Sequence, residues 1–150
     1  MKLHKIIERI AAWRYRNYAP LTVSATARHT RFSEHLINES KITFQIVELE
    51  GKVKFVNRGT IKGIILARDA DIYNYGLIEG IVYSKKGTLH LFDKSDFTGV
   101  AYSYMIGLQP GCSIDSWIGQ DLSKFIELTQ ERVSSSDLAD IKRIISAWQD

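Results

Sequence analysis

The sequence predicts a mainly β fold: a parallel β-solenoid of about four coils, flanked by an N-terminal amphipathic helix and a C-terminal helical hairpin. Two observations carry this expectation. A glycine-centred pattern recurs through the middle of the chain, and apolar residues return at helical spacing only in the two flanks. The alternative arrangement of the same residues is α+β, with an antiparallel sheet or small barrel.

The repeat comes first because the rest attaches to it. Ile61-Lys62-Gly63-Ile64-Ile65-Leu66-Ala67 lies over Ile78-Glu79-Gly80-Ile81-Val82-Tyr83-Ser84, and both lie over Phe97-Thr98-Gly99-Val100-Ala101-Tyr102-Ser103. The glycines stand 17 and 19 residues apart. A solenoid coil of three short strands and tight bends takes up roughly that much chain. Glycine at each bend allows positive φ or close backbone approach. Trp117-Ile118-Gly119 reads as a weaker fourth copy and Leu49-Glu50-Gly51 as an imperfect earlier one.

Residues 1–18 form a basic amphipathic segment, helical over 2–17, with Leu3, Ile6, Ile7, Ile10 and Trp13 on one stripe and Pro20 ending it. That stripe fits either a cap on the first coil or a membrane interface. Residues 21–28 alternate as a strand or extended connection. His29 and His35, six apart with Glu34 between them, could hold a metal or phosphate, but no further ligand stands at a convincing spacing, so a solvated loop is expected. Strand-like runs cover 42–47 and 53–56. Glu50-Gly51-Lys52 has the Glu-x-Lys form of metal-dependent nucleases, but no aspartate precedes Asp69, and a bend is the better reading.

Asp69, Asp71, Asp93, Lys94 and Asp96 stand where corners between strands are expected, and Lys85-Lys86-Gly87 and Gln109-Pro110-Gly111 read as turns. His90 alternates outward without an evident partner. In the C-terminal flank, Leu122, Phe125, Ile126, Thr129 and Val133 mark one helical face, and Leu138, Ile141, Ile144, Ile145 and Trp148 mark a second. Between them Ser134-Ser135-Ser136-Asp137 supplies cap residues, and the joint is short enough to fold the helices back on each other. The chain thus divides as one domain over 1–150: the basic segment 1–18, a β-rich core over 21–118 and a hairpin over 119–150.

Composition narrows the function classes. A 45% hydrophobic, 11% aromatic chain of 150 residues can bury a core. Cys112 alone excludes a disulfide framework or multi-cysteine metal site and fits a reducing compartment. No bilayer-length apolar run stands out, so a cytoplasmic location is expected, with membrane association through the basic segment as an option. Lys2, Lys5, Arg9, Arg14, Arg16, Arg28 and Arg31 face Glu8 alone within residues 1–31, although the whole chain carries only +3.

The apolar-x-Gly pattern followed by Ile or Val and then Tyr-Ser resembles the bactofilins, polymer-forming bacterial cytoskeletal proteins, over roughly residues 49–119. The resemblance implies a right-handed parallel β-helix that stacks end to end without a nucleotide. Helical flanks depart from that family, whose β-helix carries short disordered tails. The expected function is a non-enzymatic, self-assembling scaffold with no cofactor or metal. Leu49, Val53, Phe97, Val100, Ile114 and Trp117 are the expected stacking residues. Lys2, Lys5, Ile6, Arg9, Ile10, Trp13, Arg14 and Arg16 are the expected contacts with an anionic membrane or another polyanion. Two alternatives remain: an acyltransferase-like β-helix enzyme with His90 as base, and a small nucleic-acid-binding or protein-interaction module holding phosphates through the basic residues, Arg28 and Arg31 included.

Overall fold

The computed structural model describes residues 14–24 and 26–149. Ten strands wind as a parallel β-solenoid of about six turns: β1 (Ala19–Pro20), β2 (His29–Phe32), β3 (Leu36–Asn38), β4 (Lys41–Leu49), β5 (Lys54–Asn57), β6 (Thr60–Ala67), β7 (Asp71–Asn74), β8 (Leu77–Leu91), β9 (Asp96–Leu108) and β10 (Ser113–Gly119). Every strand pair is parallel, which sets aside the antiparallel sheet and the small barrel. Two helices follow, α1 (Leu122–Gln130) and α2 (Ser135–Ala147).

The strands stack into three faces. Face A holds β1, β3, β5, β7 and then 88–91 and 105–108. Face B holds 41–43, 60–62, 77–79, 96–98 and 113–115, and face C holds β2, 46–49, 64–67, 81–84, 100–103 and 117–119. The glycine column is the corner between faces B and C, with Gly63 over Gly80 and Gly80 over Gly99. At Gly99, φ is +141°, and a Cβ would lie 1.8 Å from the Gly80 carbonyl oxygen, so only glycine packs there without strain.

The predicted coil count was low because this corner changes its residue at both ends. In the earlier coil a bulge at Phe44-Gln45 replaces the glycine, with Ile42 over Ile61 and Ile46 over Ile64. Leu49-Glu50-Gly51 is therefore not a copy of the repeat: Leu49 pairs with Ala67, at the repeat's last position. In the last coil Ser116 takes the glycine position at φ +116°, and Gly119 pairs with Tyr102. Nor do Lys85-Lys86-Gly87 form a separate turn. They bend the continuous β8, where the register shifts between Ser84 and Thr88.

Each repeat position now has a physical cause. Ile61, Ile78 and Phe97, with Ile65, Val82 and Ala101, point inward and stack as the central core. Ser84 and Ser103 are buried at a corner, donating to the carbonyls of Ala70 and Gly87 at 3.1 and 3.2 Å. Ile64, Ile81 and Val100, with Leu66, Tyr83 and Tyr102, point outward, yet most are buried because α1 and α2 lie on face C. Apolar residues on both sides of a strand are what a sheet covered on both faces requires.

The helices are set by their caps. Asp121 accepts from the Lys124 amide at 3.1 Å, and Ser134 accepts from the Asp137 amide at 3.1 Å. Phe125, Ile141, Ile144 and Ile145 enter the face C cluster. The hairpin therefore lies along the flank of the coil and caps neither end.

Candidate functional site

Placing the helices on face C leaves the last coil open. Its inward residues continue the core columns: Leu108 lies over Leu91, Ile114 over Phe97 and Ile118 over Ala101. The columns lose their cover here. Leu108 is 51% and Ile114 39% exposed, against 0% for Leu91 and 1% for Phe97. Tyr104 and Met105, at the start of the same coil, are exposed as well.

The backbone is open too. Among the described residues β10 pairs only with β9, and residues 105–108 pair only with 88–91. Their outer edge presents a row of N–H and C=O groups without ladder partners. From Phe97 to Gly119 the chain carries one charged side chain, Asp115. The C-terminal end of the solenoid is thus an apolar cross-section rimmed by free strand edges. Exposed apolar area and unpaired strand edges of this kind are open to a partner.

Kinship points to no partner. Comparisons with protein-family models, with curated proteins and with solved structures give no match.

The expected stacking residues divide. Leu49, Val53 and Phe97 are buried in the central core, and Val100 is buried beneath the helices, so none of these four can meet a second molecule. Trp117 is partly buried against the helix-covered cluster. Of the six, Ile114 is the one that stands exposed at the open end. Leu108, Tyr104 and Met105 were missed, although Leu108 sits directly before the Gln109-Pro110-Gly111 turn that opens the last winding.

Of the expected membrane contacts, Lys2, Lys5, Ile6, Arg9, Ile10 and Trp13 lie outside the described residues. Arg14 and Arg16 are exposed. Arg14 lines a cavity of about 170 Å³ with Tyr15, Lys54, Tyr73, Tyr75 and Phe92 on the outside of face A. Burial there pushes the Tyr75 hydroxyl up to about 12, reinforced by a hydrogen bond with Tyr15. The other basic residues are engaged within the chain. Arg28 bridges Asp137 at 3.1 Å and Asp140 at 2.8 Å, and Arg31 lies 3.5 Å from Glu48 and 3.8 Å from Glu50.

The described histidines also have partners. His90 is not isolated: its ring stacks on Tyr73 at 5.2 Å and 13° and lies against Gly107. His29 contacts Glu48 at 3.1 Å, and His35 accepts from the Lys54 amide at 2.9 Å. Among the described residues no group of three or more His, Cys, Asp or Glu is placed to hold a metal ion. A groove of about 410 Å³ follows the glycine corner past Arg132 and Asp137, and in it Lys62 and Glu79 neutralise each other at 3.4 Å. No described helix is long and apolar enough to cross a membrane.

Proposed function

We propose that this protein is a non-enzymatic scaffold that associates with itself through its β-core, at the C-terminal end of the solenoid. One observation carries the reading: Leu108 and Ile114, whose counterparts one coil beneath, Leu91 and Phe97, are buried, are exposed at a sparsely charged open edge. Covering them with a second chain removes apolar area from water and pairs the free edge groups, the two largest favourable terms such a surface offers. The resemblance of the repeat to bactofilins supports the same reading. The helices on face C are compatible with it, since they leave the axial end clear.

The basic segment, of which Arg14 and Arg16 are the described part, adds an anionic membrane surface as a proposed second partner. Co-sedimentation with phosphatidylserine vesicles, but not with phosphatidylcholine vesicles, is the expected outcome.

Sedimentation and negative-stain microscopy of the full chain test the association itself. Wild-type protein is expected to form assemblies larger than one chain, and Ile114→Asp is expected to remain folded and monomeric. A wild-type monomer at every concentration would overturn the scaffold reading.

A further inference from the structure

The two ends of the solenoid are not equivalent, and the difference bears on how copies join. At the C-terminal end all three faces reach the rim, through 105–108 and the seven-residue β10. That rim contains no proline within a strand, no lysine and no arginine. At the N-terminal end the first coil holds a two-residue β1 and a four-residue β2. Between them, the described residues of 21–28 form no strand, so face B has no rung in that coil.

The first coil is also guarded chemically. Pro20 makes up half of β1 and has no N–H to donate. β2 carries Arg31, an exposed cation on an edge strand. Proline and inward or rim charges are the devices by which edge strands are kept from pairing with other chains. The N-terminal end carries a proline and a cation within its strands, whereas the only strand charge at the C-terminal end is Asp115.

Head-to-tail stacking would set the apolar β10 edge against this interrupted, guarded coil. The 113–115 segment on face B would meet no strand there. A second C-terminal end, by contrast, offers complete edges and the same open core. From these observations we infer that two copies join C-terminal end to C-terminal end about a two-fold axis and stop there as a closed dimer. The inference rests on the association proposed above and names its partner and geometry. In such an isologous contact each Leu108 and Ile114 is covered by the partner's end, and no free C-terminal end is left to continue growth.

Sedimentation velocity and light scattering over a concentration series on the full chain test this. A monomer–dimer equilibrium with no larger species is expected. Leu108→Lys is expected to weaken the dimer by at least about tenfold, because it places two like charges in the contact. Met105→Lys, at a more exposed outward site, repeats the test should Leu108→Lys misfold. Arg31→Glu, at the opposite end, is expected to leave the dimer unchanged. Open-ended growth into filaments would overturn the closed dimer while keeping the scaffold reading, and a monomer throughout would overturn both. A dimer indifferent to both lysine variants, or one lost in folded Arg31→Glu, would place the contact elsewhere and end the inference.

Discussion

Asn57 donates from Nδ2 to Oδ1 of Asn74 at 2.9 Å, one coil further along the solenoid, and both side chains are buried. Asn38 donates in turn to Asn57 at 2.9 Å, so three coils share one ladder of amides. Each link also serves the adjoining bend: Asn57 accepts from the Gly59 amide at 3.1 Å and donates to the Leu77 carbonyl at 3.1 Å. A buried amide with all its partners in place holds the corner in a single arrangement. The column ends at Leu91 and then the exposed Leu108, which cannot continue the chain of donors.

Asn57→Asp keeps the shape but removes the donors. The Asn74 oxygen and the Leu77 carbonyl then face a second acceptor in a buried site. The loss expected is about 3 kcal/mol, read as a fall in the urea midpoint without a change in slope.

Gly99→Ala and Ser116→Gly should move stability in opposite directions. A Cβ at Gly99 meets the Gly80 carbonyl oxygen at 1.8 Å, and the cost is expected to exceed about 2 kcal/mol. Ser116 holds the equivalent place in the last coil at φ +116°, so glycine there should gain up to about 1 kcal/mol. Thermal melts of the two variants check the pair.

Phe125 anchors α1 on face C, 5.6 Å from the Tyr83 ring. Burial, aided by Tyr102, pushes the Tyr83 hydroxyl up to about 12. Phe125→Ala is expected to cost about 3–5 kcal/mol and to bring the Tyr83 titration back toward the usual tyrosine range near 10. Absorbance titration at the phenolate band follows the second effect directly.

Arg28 joins the start of β2 to α2, and its hydrogen bond to Asp140 holds that carboxyl below the usual carboxylate range. A carboxyl depressed in the folded state adds stability above its unfolded pKa. That stability is lost as pH falls through the folded value. The ion pair should therefore hold at neutral pH and dissolve on acidification below roughly pH 4. In Asp140→Asn the acid-dependent part of the loss should be smaller. Carbon-13 titration of the Asp140 carboxyl provides the direct measure.

The repeat was legible because a solenoid writes its period into the chain: Gly63, Gly80 and Gly99 each meet the same backbone approach, so the same residue type recurs. Where another residue solves the corner, as the Phe44-Gln45 bulge and Ser116 do, the period disappears from the sequence while the coil persists. The stacking residues were misplaced for a related reason. Val100 and Phe97 are both apolar, and nothing local distinguishes a side chain under the helices from one in the core or at an open end.

The sequence by itself determined a repeating coil with glycine corners and two C-terminal helices, the second with its cap residues, because glycine conformation, strand period and N-cap chemistry are local properties. Only the tertiary structure decided that those helices lie on face C, that the amides of Asn38, Asn57 and Asn74 join into one ladder, and that Leu108 and Ile114 are left uncovered. These depend on which residues meet across 17 or more positions of chain, and that is fixed by the register of whole coils rather than by any one residue's preference.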